Sequence, residues 1–197
     1  MEKISNGLDL QVMRPMENNL RKQYNLNNKK IILGVSSFWH ERKGIYTFYE
    51  LARKVSEDYQ IVLIGDLKEN KEDMPKNIIS IGRISEIDEL ARWYTVADVY
   101  VNTSAEETMG LTTIEAMACG TPAVVMNATA NPELVDEGCG RVVETGDITQ
   151  LLNAIYSLKK DKKIIQNCIE RAASYEKTKQ YKKYIQLYKD ILYKMEN

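Results

Sequence analysis

The 197-residue sequence has one histidine, His40, and three cysteines, Cys119, Cys139 and Cys168. A single histidine excludes a Cys/His zinc cluster. Three cysteines are an odd number at no metal-ligand spacing, which fits a reducing compartment where each packs as a small apolar group. No apolar run approaches the roughly 18 residues that a membrane span requires, and no signal peptide is recognisable. These absences read together as a cytoplasmic protein. Asn102-Thr103-Ser104 and Asn127-Ala128-Thr129 match the glycosylation acceptor pattern and are taken as chance matches in that setting. Internal repeats and low-complexity tracts are also missing. A net charge of −1 gives no general drive toward nucleic acid.

What is present is enough apolar material, 44% of the residues, to bury a core in one domain with appendages. Charge is unevenly spread. Lys159 to Lys194 holds 11 lysines and arginines against 4 acids, while the rest holds 16 against 24. A basic tail on an acidic body can contact an anionic membrane surface at its inner face, or an acidic partner; the plainer reading is a solvated helix face.

Residues 1–29 are polar and turn-rich, with Asn6-Gly7 and Pro15, and read as an arm ending in a short helix. Apolar runs at Ile31–Val35, Ile61–Ile64 and Ile78–Ile81 read as buried strands, as do Val99–Val101, Ala123–Met126 and Val142-Val143. Helical periodicity marks Gly44–Val55; Ser85 is the expected N-cap of a helix through Tyr94. A further helix follows Gly110, another can start at Pro132, and Asp147 is placed to cap one running to about Leu158. Two more fill the C-terminus. Strands alternating with helices predict an α/β fold: an open, mostly parallel, Rossmann-like sheet of about six strands with helices on both faces. Ligands of such sheets bind beyond the carboxyl ends of the strands.

One of those loops carries two carboxylates eight positions apart, in Glu107-Thr108-Met109-Gly110-Leu111-Thr112-Thr113-Ile114-Glu115. Glu107 can accept two sugar hydroxyls at once. The amides that open the following helix suit a diphosphate, and Glu115 can accept both hydroxyls of a ribose. Each acid has a plainer alternative. Thr112-x-x-Glu115 has the spacing of a capping box, and Glu107 can be a solvated loop acid, as Glu106 beside it can.

Glu107-x-x-Gly110 followed by Ile114-Glu115-Ala116-Met117-Ala118-Cys119-Gly120-Thr121-Pro122 resembles the E-x7-E motif of the retaining "group 1" glycosyltransferases of the GT-B fold. Other blocks agree in order: Asn6-Gly7-Leu8-Asp9, Arg42-Lys43-Gly44, Leu63-Ile64-Gly65-Asp66, Ala97-Asp98-Val99-Tyr100-Val101-Asn102 and Asn131-Pro132-Glu133-Leu134-Val135. The resemblance spans about residues 4–158. It implies that Glu107 binds the donor sugar and Glu115 the ribose. Met109, Gly110 and Leu111, with Thr112, would offer groups to the diphosphate and sugar. Lys43, helped by Arg42, would neutralise the leaving diphosphate, and Gly82-Arg83-Ile84 would form part of the base pocket. The family's usual arginine is replaced by Ser37, so that either Arg42 or Arg83 substitutes for it or diphosphate binding is weaker. Thr108-Met109 replaces Gly-Phe, and Ala130-Asn131 replaces part of a Gly-Gly loop. The stretch Ser37-Phe38-Trp39-His40-Glu41-Arg42-Lys43-Gly44 fits a subgroup of bacterial polysaccharide-assembly transferases. His40 is a weaker choice as general base; Trp39 is read as packing or lid.

A GT-B enzyme has two such domains, and the resemblance begins at the linker between them. The sequence is therefore expected to be a truncation lacking the acceptor-binding N-terminal domain, with Met1 at an artificial start. Its parts would be an arm (1–29), a donor-binding domain (30–175) and a C-terminal helix (176–197) whose Tyr181, Tyr184, Tyr188, Ile191 and Met195 stripe faces the missing domain. Packing of that helix on its own sheet is the alternative. No D-x-D motif occurs, so metal independence and no cofactor are expected, the substrate being a UDP- or GDP-linked sugar. The expected function is donor binding for transfer to a polysaccharide or lipid-linked acceptor, without turnover by the chain alone. The alternatives are a non-catalytic nucleotide-binding module and a nucleotide-sugar epimerase-like domain.

Overall fold

The computed structural model describes residues 4–67 and 73–196; Met1 lies outside them. Six strands form one sheet: β1 (Lys30–Trp39), β2 (Tyr59–Leu67), β3 (Ile78–Ile81), β4 (Val99–Asn102), β5 (Ala123–Met126) and β6 (Gly140–Val143). All pairs are parallel, in the order β3-β2-β1-β4-β5-β6. The chain thus runs outward from β1 to β3 and then returns to β4 on the other side of β1. The loops after β1 and β4 flank this reversal, where an open α/β sheet forms its ligand crevice.

Strand residues alternate between two cores. Leu33, Val62, Ile64, Tyr100 and Val125 face one side, covered by α1 (Leu20–Gln23), α3 (Ile87–Val96), α4 (Leu111–Ala118) and α6 (Lys162–Ala173). Ile32, Leu63, Val101 and Val124 face the other, under α2 (Ile45–Lys54) and α5 (Ile148–Ser157). Fully buried Leu33 and Ile114 each contribute about 1.5–3 kcal/mol. Asp147 caps α5 by accepting from the Gln150 N–H at 2.8 Å. Ser85 does not cap α3: the helix opens after Glu86, whose side chain makes no cap bond. Pro132 starts only a 3-10 turn, Asn131–Glu133.

A bulge shapes the site end of β1. Val35 pairs with Ile64 but Phe38 with Asp66, so β1 carries one extra residue. Opposite it, Gly65 has φ +121°, and a Cβ there would stand 1.7 Å from the Ser36 carbonyl oxygen. Trp39 is packing: it is buried, donates to the Ile64 carbonyl at 3.0 Å and meets Phe48 edge-on. Cys119, Cys139 and Cys168 are free and buried; burial pushes their thiols up to about 12, 11 and 12.

The arm is tied to the domain. Leu8, Met13, Leu20 and Leu26 are buried in its core. The Leu8 N–H donates to Tyr175 at 2.8 Å, and the Lys177 N–H to Leu8 at 2.9 Å. Asp9 pairs with Lys177 at the start of α7 (Lys177–Glu196). Beyond Gln180 no described residue of α7 is buried, and Tyr181, Ile185, Tyr188 and Leu192 are more than half exposed, so this helix does not pack on its own sheet. Among the described residues no helix is long and apolar enough to cross a membrane.

Candidate functional site

The bulge and the loops after β1 and β4 enclose a cleft of about 310 Å³. Ser36, Ser37 and His40 line one wall, Glu107 to Thr112 the other, and Lys43 and the arm's Asn6 complete it. Lys43 ends a 3-10 turn, Glu41–Lys43, closed by Gly44 at φ 74°. A Cβ on Gly44 would sit 2.3 Å from Thr103 Oγ1. That close approach lets the Thr103 hydroxyl donate to the Lys43 carbonyl at 2.8 Å, and the Ala105 N–H to Arg42 at 3.1 Å. The two loops are thereby stitched together, and Lys43 Nζ comes within 2.7 Å of Glu107 Oε1.

Glu107 is fixed from a third side, because its N–H donates to Thr129 Oγ1 at 2.9 Å. Thr129 holds φ 48°, a costly conformation for a β-branched residue. Buried Asn131, in the position of the expected Gly-Gly loop, braces the same corner. It accepts from Asn102 and donates to the Ser104 carbonyl, each at 3.4 Å. Asn102 itself is buried, which closes that glycosylation acceptor to modification.

Helix α4 points its start into the cleft. Its N-cap is Gly110, at φ 67°, and no side chain occupies the cap. Met109, Gly110, Leu111 and Thr112 all line the cavity, so first-turn amides face a space suited to an anion.

Glu115 lies in an adjoining cavity of about 230 Å³ with Arg83, Ile84 and Leu90; Ser36, Ser37 and Thr112 line both spaces. The expected capping box does not form. Glu115 is the fifth residue of α4, too deep to reach back to the cap, and its Oε2 instead accepts from the Tyr94 hydroxyl at 2.8 Å. Burial raises its carboxyl above the ordinary value, opposed by that hydrogen bond. Gly82 is exposed; its carbonyl accepts from Gly65 at 3.3 Å, and a Cβ there would meet nothing within 4 Å.

Arg42 is not brought to the cleft. Its side chain is 76% exposed and lies 3.8 Å from Glu106, on the outer side of the turn that points Lys43 inward. The structure adds four residues that the sequence reading did not single out as site residues: Asn6, Tyr94, Tyr100 and Thr129. Asn6 was visible in the linker block, whereas the tyrosines read as core and the conformation of Thr129 has no sequence signal.

The arrangement offers a cation, an acidic acceptor and helix amides around one cavity, and a buried acid in the next. Residues 29–161 match the family model "Glycosyl transferases group 1". The chain is 29% identical over 186 residues to N-acetyl-alpha-D-glucosaminyl L-malate synthase of Bacillus anthracis, covering 88% of this chain and 49% of that protein. It thus spans about half the length of this curated relative. The C-terminal domain of a group 1 glycosyl transferase, LpcC of Francisella tularensis, superposes with a TM-score of 0.71 at 29% identity. That match covers 86% of this chain and 99% of that one. Anabaena HepE, solved in complex with UDP, shares the fold at a TM-score of 0.83 and 20% identity, over 95% of this chain and 57% of that one. A match over most of the sheet and both site loops settles the classification: the chain belongs to the group 1 glycosyl transferase family.

Proposed function

We propose that this chain binds the nucleotide-diphospho-sugar donor of a retaining glycosyltransferase and stabilises the diphosphate as it leaves. The observation that carries this reading is Lys43 Nζ held 2.7 Å from Glu107 Oε1 at the mouth of an uncapped helix. In this reading Lys43 turns to the phosphate oxygens when donor enters, and the α4 amides share their charge. Glu107 takes sugar hydroxyls and Glu115 the ribose. Charge grows on the diphosphate in the transition state, so a fixed cation and fixed dipoles there accelerate departure without reorganising. The charge is met by Lys43 and backbone amides, and no metal is assigned a role.

The complex of HepE with UDP supports a uridine donor as the first to try. Arg83 and Ile84, beside Glu115, would border the base. The acceptor is assigned to a second domain, in line with a chain that covers about half of its curated relative and all but 1% of a solved C-terminal domain. The exposed tyrosine and isoleucine face of α7 is assigned to contact with that domain, and its lysines to an anionic membrane surface where the acceptor is lipid-linked.

Calorimetry with UDP, GDP and ADP tests the reading. Binding of at least one, weakened by Lys43→Ala, is expected; no heat from any of the three at millimolar ligand would refute it.

A further inference from the structure

Two buried tyrosines lie directly beneath the cleft. Tyr94 on α3 and Tyr100 on β4 are 0% and 1% exposed, and their rings meet edge to face at 5.9 Å. A buried phenol must place its hydroxyl on a partner, and both choose residues of the site. Tyr100 donates to Thr112 Oγ1 at 2.7 Å, and Tyr94 to Glu115 Oε2 at 2.8 Å. Tyr94 cannot drift. Its carbonyl accepts from Thr121 Oγ1 at 2.5 Å, and the α3 carbonyls after it are held by Lys160 and Arg21. Bonding one oxygen of Glu115 to a fixed phenol sets the rotation of the carboxylate, and its remaining lone pairs are available to a ligand.

We propose that Tyr94 is a positioning residue for nucleotide recognition, holding the Glu115 carboxylate turned to accept the two hydroxyls of a ribose. This rests on Glu115 being the ribose-binding acid. Burial works to protonate Glu115, and the Tyr94 hydroxyl is the group that opposes it. The other titratable neighbours are Tyr100 and Cys119, both kept neutral by burial, and Arg83, a permanent cation lining the same cavity. A carboxylate accepts ribose hydroxyls better than a carboxylic acid does. Affinity for a ribonucleotide therefore falls as pH drops through the Glu115 pKa. Removing the Tyr94 hydroxyl moves that fall to higher pH.

The test titrates UDP and 2′-deoxy-UDP into the full chain by calorimetry between pH 5 and 8. Wild type should prefer UDP. Tyr94→Phe should weaken UDP by about tenfold, more at the acid end of the series than at the alkaline end, with under about twofold change for 2′-deoxy-UDP. Tyr100→Phe, which touches Thr112 and not Glu115, should keep the ribose preference. Should a thermal scan show Tyr94→Phe unfolded, Tyr94→3-fluorotyrosine carries the test. Its more acidic phenol keeps the shape and should extend UDP binding to lower pH; no shift would overturn the proposal. So would a Tyr94→Phe variant that weakens both nucleotides equally at every pH, or neither. If Glu115→Ala leaves the ribose preference unchanged, the ribose role of Glu115 falls and this inference with it; if wild type binds none of UDP, GDP and ADP, the donor-site reading itself falls first.

Discussion

At the amino edge of the sheet, Lys160 Nζ donates to the Thr95 and Ala97 carbonyls at 2.7 Å and to Thr121 Oγ1 at 2.6 Å. Beside it, the Arg21 guanidinium gathers the Val96 carbonyl, the Lys29 carbonyl and the Asp98 carboxylate, at 3.0, 2.5 and 2.6 Å. At the carboxyl edge, Lys43 meets a single carboxylate across an open cleft, and the α4 N-terminus has no side-chain cap. One edge satisfies its cations with fixed backbone; the other leaves cation and amides facing solvent-accessible space. The difference teaches where stability and binding reside. Polar groups closed off by the chain hold the fold, while those facing space are available to a ligand.

Mutations should separate the two edges. The largest effect belongs to Lys160→Met, which takes the ammonium donor from the Thr95 and Ala97 carbonyls and from Thr121 Oγ1. It should cost about 3 kcal/mol in urea unfolding and weaken UDP far less than a cleft substitution does, since Lys160 lines no part of the cleft and reaches the site only through the backbone that holds Tyr94. Its pH dependence sharpens the comparison. Burial lowers the Lys160 ammonium to about 8 from 10.5. Between those values the unfolded chain holds more protons than the folded one, so wild type should gain stability over Lys160→Met as pH rises through that window. A flat difference would show that the three acceptors keep the ammonium charged.

Lys43→Ala should do the reverse. Loss of the proposed charge-assisted contact to phosphate should weaken UDP by about 30- to 100-fold, while the unfolding midpoint moves little because the pair is partly exposed.

A smaller effect is expected from Thr129→Gly. It relieves a φ of 48° but removes the acceptor for the Glu107 N–H. Stability should stay within about 1 kcal/mol of wild type. A UDP-sugar should lose several-fold more affinity than UDP itself, because Glu107 is the proposed sugar contact. Equal losses for both ligands would remove Glu107 from that role.

The sheet was legible because its strands are apolar runs with both faces buried, and Ala123–Met126 and Ile78–Ile81 fall at the observed ends. β1 runs on to Trp39, past the expected Val35, because a bulge rather than a turn follows. Glu107 and the α4 start were legible as a run of spaced residue types and Lys43 only through the family resemblance, and the fold gathers them around one cleft. What stayed hidden depends on direction. Arg42 and Lys43 are neighbours in sequence, yet a 3-10 turn sends one side chain outward and one inward. Thr112 and Glu115 have capping-box spacing, but the cap falls on Gly110 and the acid turns to Tyr94. Tyr94 and Tyr100 have the spacing of core residues, and only the fold places their hydroxyls under the site.

The most direct measurement of the central claim is calorimetric titration of UDP into wild type and Lys43→Ala, with unfolding followed on the same samples. The account predicts measurable binding by wild type, a loss of about 30-fold or more in the variant, and near-equal stability. Equal affinities in two stable proteins, or no binding of UDP, GDP or ADP by wild type, would contradict it.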